Sequence, residues 1–168
     1  MADQSRDMAF ELGAGRLRQY LLDWKLRQES GTSQDYLTEL ENHYRKIFPT
    51  RSFSGRESMN SINTPAGEET YFVLNDGRHT YDIAEMSAGE QSVFPILYEF
   101  VRQQIAHSVV LIDEIDLNLH PPAAQSLVSQ LTKIGPTCQF IFTTHSEAVN
   151  DLIGEDETYR LEGGSLCL

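Results

Sequence analysis

Cysteine is scarce in this chain. The two thiols among 168 residues, Cys138 and Cys167, have neither the paired spacing of a zinc site nor the framework of a disulfide-stapled domain. A reducing, cytoplasmic setting is therefore expected. No apolar run approaches the ~20 residues of a membrane span, and the N-terminal MADQSRDMAF lacks the apolar core of a signal peptide. No membrane partner is expected. Basic residues are also few, 13 against 25 acidic, and the net charge of −12 opposes non-specific adhesion to nucleic acid or anionic lipid. Any DNA contact is expected through other parts of an assembly. Neither an internal repeat nor a low-complexity stretch is visible, and a hydrophobic content of 40% suits one globular core.

What is present divides by pattern. Residues 2–29 place Ala9, Phe10, Leu12, Leu17, Tyr20, Leu21 and Trp24 at helical steps, with Gly13 and Gly15 as weak points and Tyr20 and Trp24 expected in the core. A second helix over 33–47, starting at Thr32 or Ser33, carries Tyr36, Leu37, Leu40, Tyr44 and Ile47 and stops at Phe48-Pro49. From Thr50 to Gly67 the composition reads as loop with at most a short strand, and Arg51 and Arg56 are expected to be solvated or paired with acidic groups. Glu69–Leu74 and Arg78–Ile83 flank Asn75-Asp76-Gly77, a strong hairpin signal. Thr158–Glu162 reads as a last short strand.

Three short motifs then follow in order. SAGEQ at 87–91 opens a helix: Ser87 and Glu90 have capping-box spacing, and Ala88 and Gly89 leave backbone N–H groups open to an anion such as a terminal phosphate. Val93, Ile96, Leu97, Phe100, Val101 and Ile105 give that helix its apolar face, and Pro95 predicts a kink. The apolar run Ser108–Ile112 ends abruptly in Asp113 and Glu114, the pattern of a buried parallel strand that delivers carboxylates at its C-terminal end. An Asp there suits Mg²⁺ held through water, and a Glu one residue on suits polarising a water. Cys138–Thr144 forms a second apolar strand that presents Thr143, Thr144, His145 and Ser146. A helix over 121–134, with Pro121-Pro122 in its first turn, joins the strands into a βαβ unit that should bring His145 beside Asp113 and Glu114. Taken singly, each motif also admits a plain structural reading: a capped helix, an acidic turn, a capping histidine.

Together, SAGEQ, LIDEID with the following LNLHP, and TTHS resemble the signature motif, the Walker B motif with D-loop, and the switch histidine of ABC-type ATPases. Within that group the likeness is to the soluble branch of overcoming-lysogenization-defect (OLD) nucleases, RecF-like and SMC-like proteins, over roughly residues 70–162. The resemblance implies ATP and Mg²⁺ as cofactors. By it, Ser87 and Gly89 meet the γ-phosphate held by an opposite subunit, with Ala88, Glu90 and Gln91 completing that surface. Asp113 supports Mg²⁺, Glu114 positions the attacking water, Asp116 lies at the dimer seam, and His145 reads the γ-phosphate.

The sequence departs from the pattern in one respect: it contains no G-x-x-x-x-G-K-[ST], and the pairs Gly13/Gly15 and Gly163/Gly164 lack both the Lys and a preceding strand. The expected fold is accordingly α/β, a partial P-loop NTPase of ABC ATPase type. Its expected parts are a helical segment (1–50), a loop and hairpin (51–86), and a signature helix with a short parallel sheet (87–168). The expected partners are an N-terminal lobe that carries the phosphate loop and a second ATPase subunit. The function implied is ATP hydrolysis in a composite dimeric site, with DNA repair, chromosome maintenance and phage defence all open as the process. A non-catalytic lobe acting as an interaction module is the alternative. A metal-dependent nuclease built on Asp113, Glu114, Asp116 and His120 would leave SAGEQ and TTHS unexplained.

Overall fold

The computed structural model describes residues 2–31, 34–60 and 68–161. Helix α1 (Ala2–Ser30) runs unbroken through Gly13 and Gly15, and a Cβ added at either glycine meets nothing within 4 Å. Its inward stripe is Ala14, Leu21 and Leu22, with Leu17 and Trp24 packed against the core. Trp24 stacks on Tyr98 with ring centroids 5.3 Å apart and tilts against Tyr36 at 5.4 Å. Tyr20, expected in the core, is instead 50% exposed and leans on the rim of Tyr98.

Helix α2 (Tyr36–Ile47) begins later than expected. Its cap is Asp35, whose carboxylate accepts the Thr38 N–H at 3.0 Å and suits the positive helix end; Thr32 and Ser33 lie outside the described residues. Leu37, Leu40, Tyr44 and Ile47 face inward, and the helix stops at Phe48 ahead of Pro49.

The segment read as loop holds a nine-residue strand, β1 (Ser52–Asn60), paired antiparallel with β2 (Glu68–Asn75), which in turn pairs with β3 (Thr80–Asp82). SFSGRESMN has too little apolar alternation to announce a strand. What makes it one is its partner: the ladder to β2, a bulge at Phe53/Gly55 with Gly55 at φ +95, and the Phe53 ring edge-on to Phe72 at 5.5 Å. The β2–β3 hairpin turns as expected. Asp76 Oδ1 accepts from the Arg78 and His79 N–H groups, and Gly77 takes φ +89.

A 3₁₀ turn (Ile83–Glu85) leads into α3 (Ala88–Gln103), which continues through Pro95 without interruption. Pro95 lies on the exposed side, where its ring displaces solvent rather than core. Strands β4 (Val109–Ile112) and β5 (Gln139–Phe142) are parallel, joined by α4 (Pro121–Ile134), which packs on α2. One face of this pair, with Val110, Ile112, Phe140 and Phe142, turns inward, and Phe140 meets Phe100 of α3 at 5.7 Å. The other face is open: Val109, Leu111 and Ile141 are 60%, 74% and 52% exposed. These strands are thus half-buried rather than buried, because the described residues supply a layer on one side only. After a single turn α5 (Glu147–Asn150) and a 3₁₀ turn (Glu155–Glu157), Thr158–Leu161 joins no sheet among the described residues. The last strand expected there does not form over those four positions. Among the described residues, no helix is long and apolar enough to cross a membrane.

Candidate functional site

The C-terminal ends of β4 and β5 lie side by side because their register pairs Ile112 with Phe142. The ladder continues one step further through Thr143 N–H to Ile112 O at 3.1 Å and Ile115 N–H to Thr143 O at 3.0 Å. Beyond it the chain turns sharply, with Glu114 at φ +49 and Asn118 at φ +61, conformations uncommon for residues with a side chain. Two threonine hydroxyls hold this turn. Thr143 Oγ1 donates to Asp113 Oδ1 at 2.5 Å and accepts the Glu114 N–H at 2.7 Å. Thr144 Oγ1 donates to Asp116 Oδ1 at 2.5 Å and accepts the Ser146 N–H at 3.0 Å. Asp116 Oδ1 also accepts the His145 N–H at 3.3 Å. The turn that carries Asp113, Glu114 and Asp116 is thereby tied to the segment that carries His145. The side chains of Glu114 and His145 are exposed and make no hydrogen bond or ion pair among the described residues.

Ser87, Ala88 and Gly89 form the N-terminus of α3. Ser87 is the N-cap of a capping box, its Oγ accepting the Glu90 N–H at 3.4 Å. Gly89 packs on the carboxylate turn: a Cβ there would stand 2.9 Å from Asn118 O and 3.2 Å from Leu119 Cδ2. Only a glycine lets the two segments approach this closely. Gln91 donates from Nε2 to Met86 O at 2.9 Å, which closes the turn that feeds the helix.

Glu90 is placed unlike its neighbours. Its carboxylate is 2% exposed and points into the core. Oε2 accepts the Ser87 N–H at 2.9 Å and the Ser87 hydroxyl at 2.6 Å. Oε1 accepts the hydroxyls of Tyr44 and Tyr81 and pairs with Arg51 Nε at 3.2 Å. Burial raises its pKa, but the Ser87, Tyr44 and Tyr81 hydrogen bonds outweigh burial and hold it below the ordinary value. Any ligand contact by Glu90 must therefore run through its backbone. Tyr44 and Tyr81 are pushed up, by burial first and then by the Glu90 carboxylate. Arg51, expected to be solvated or paired with acidic groups, is the partly exposed cation of this cluster and also lies 3.8 Å from Asp76. The roles of Tyr44, Tyr81, Thr143 and Thr144 here were not foreseen. The signals for the threonines were their position directly after an apolar strand and their place in TTHS.

The donor set at the carboxylate turn fits Mg²⁺. Asp113 offers a hard oxygen, and Oδ2 has no partner among the described residues while Oδ1 is steadied by Thr143. No three His, Cys, Asp or Glu side chains among the described residues form a self-contained metal cage. That suits an ion held by one carboxylate and by phosphate oxygens of a nucleotide.

The mixed α/β fold, with β4 ending in carboxylates beside the histidine segment that follows β5, is consistent with a partial P-loop nucleoside triphosphatase. More narrowly, the chain belongs to the family described as "AAA domain, putative AbiEii toxin, Type IV TA system", whose model matches residues 5–151. It is 28% identical over 103 residues to "Retron Ec83 probable ATPase" of Escherichia coli, covering 55% of this chain and 19% of that protein. It is 27% identical over 146 residues to "Retron Vc95 probable ATPase" of Vibrio cholerae, covering 80% of this chain and 28% of that protein. The chain thus spans less than a third of the length of either relative. Among solved structures it is similar to an Smc head domain with an extended coiled coil from Pyrococcus furiosus, at 19% identity and a TM-score of 0.49, covering 68% of this chain and 29% of that one.

Proposed function

We propose that this chain is the C-terminal lobe of a soluble ABC-type ATPase, of the branch that includes OLD, RecF-like and SMC-like proteins. It contributes to a composite ATP site completed by an N-terminal lobe with the phosphate loop and by a second subunit. The observation that carries the reading is the convergence of Asp113, Glu114, Asp116 and His145 through the two threonine hydroxyls. Two relatives whose names describe them as ATPases support it.

In this reading each group has a task that its surroundings allow. The backbone N–H groups of Ala88 and Gly89, at the positive end of the sixteen-residue helix α3, meet the γ-phosphate of the opposite subunit's nucleotide. The Glu114 carboxylate, exposed and unpaired among the described residues, orients the attacking water and takes its proton. His145 donates to a γ-phosphate oxygen, and Asp113 steadies Mg²⁺ through its open oxygen. Mg²⁺, when bound, neutralises charge on the phosphate oxygens. Asp116 sits at the subunit seam and holds the histidine loop from its inner side. The protein works in the cytoplasm without a membrane partner, and any DNA contact lies elsewhere in the assembly. The open sheet face of Val109, Leu111 and Ile141 also suits a non-catalytic lobe that pairs with intact ATPases, and this is the second reading.

The test is ATP-dependent association of the lobe reconstituted with its N-terminal partner, followed by sedimentation. The wild type should dimerise with ATP. Ser87→Arg should remain undimerised, because the long side chain fills the space a partner's phosphate needs. Equal dimerisation of the two proteins contradicts a composite site at Ser87.

A further inference from the structure

Resting on that reading, we infer that Thr143 and Thr144 are positioning residues: a two-pin latch that makes the histidine loop and the carboxylate turn one rigid unit. Each hydroxyl has one proton to give and lone pairs to receive. An ionised carboxylate cannot donate, so each Thr proton must go to its Asp and the oxygen is left to accept a backbone N–H. Thr143 spends its proton on Asp113 and accepts from Glu114; Thr144 spends its proton on Asp116 and accepts from Ser146. The pairing repeats with the same polarity at adjacent positions, and the second pin is doubled by His145 N–H on Asp116.

The latch acts where the backbone most needs it. Glu114 occupies a left-handed conformation at φ +49, which a Glu adopts only if its surroundings fix it. The Thr143 hydroxyl is the group that captures its N–H, so Thr143 sets the direction in which the Glu114 side chain leaves the turn. The same hydroxyl occupies one oxygen of Asp113 and so presents the other outward. A single side chain therefore orients both the proposed water-positioning group and the proposed metal-supporting group. It touches neither substrate nor cofactor itself.

The 168-residue chain and its reconstituted ATPase give separate readouts. In the chain, Thr143→Val should speed hydrogen exchange of the Glu114 amide roughly tenfold, the value of one hydrogen bond of ordinary strength. Thr143→Ser, which keeps the hydroxyl, should restore protection. Thr144→Val should do the same to the Ser146 amide. In the reconstituted enzyme, Thr143→Val should lower kcat by about tenfold or more with little change in KM, and Thr143→Ser should recover most of it. Unchanged exchange at Glu114 overturns the latch. So does faster exchange with unchanged kcat in an enzyme that Glu114→Gln does slow. If Glu114→Gln itself turns over like wild type, the functional reading fails, while the exchange data still decide whether the threonines pin the turn.

Discussion

Replacing Glu90 with Gln tests whether the buried carboxylate holds the turn at Ser87 to the rest of the fold. Gln keeps the volume, and its Oε1 still accepts from Tyr44 and Tyr81. Its NH₂ group, however, meets the Ser87 N–H and hydroxyl now bound to Oε2, which sets donor against donor. Leaving the Ser87 N–H without an acceptor costs about 1–3 kcal/mol, and losing the charge on the remaining hydrogen bonds adds about 1 kcal/mol. Arg51 is 27% exposed, so its ion pair adds little more. The expected loss is therefore about 2–4 kcal/mol, a large share of the 5–15 kcal/mol typical of a domain. For a chain of this length it is a fall of roughly 4–16 °C in Tm.

The acid response gives a second check on the same residue. Because the folded carboxyl titrates below its ordinary value, Glu90 contributes stability that is fully present above about pH 4.3 and is lost as pH falls through the lowered folded value. The gap between wild type and Glu90→Gln should therefore be full at pH 7 and shrink toward pH 3. Urea unfolding followed by the fluorescence of Trp24, the single tryptophan, measures both. A gap under about 0.5 kcal/mol at pH 7, or one that widens on acidification, refutes the reasoning.

Two further substitutions probe the packing. Gly89→Ala should destabilise by about 1–3 kcal/mol, because the new methyl collides with the Asn118 carbonyl, whereas Gly15→Ala, with nothing within 4 Å, should stabilise by up to about 1 kcal/mol; the reverse order in urea midpoints would sink this account of the close approach. Leu111→Lys, at a position 74% exposed, should leave unfolding stability within about 0.5 kcal/mol while reducing self-association in sedimentation velocity. A wild-type chain that stays monomeric at high concentration would contradict the second half.

Elements with a strong local code could be read from the sequence, and those made by their partners could not. Helix α4 (Pro121–Ile134) begins at the double proline and ends before Gly135, as the residues indicate, and the Ser87/Glu90 capping box forms as its spacing requires. The two parallel strands and the hairpin turn were legible for the same reason: apolar β-branched runs and an Asn-Asp-Gly turn carry their own geometry. Strand β1 was not, because a chain of Ser, Gly, Arg and Asn becomes a strand only when β2 is there to pair with it. Glu90 read as part of a ligand surface because SAGEQ resembles a signature motif, and a motif does not say which of its side chains is buried. Tyr44 and Tyr81, distant in sequence, are what draw it inward. The half-open faces of β4 and β5 were equally hidden, since an all-apolar run says that both faces seek cover but not whether this chain supplies it.

The proposal that this chain is part of an ATPase rests most directly on Glu114, and single-turnover ATP hydrolysis by the chain reconstituted with the proposed N-terminal lobe is the measurement that reaches it. Glu114→Gln preserves shape and cannot take a proton, so ATP-dependent dimerisation should persist while hydrolysis slows by about 10²-fold to 10⁴-fold. Hydrolysis at the wild-type rate in Glu114→Gln would contradict the assignment and leave the chain as a non-catalytic interaction lobe.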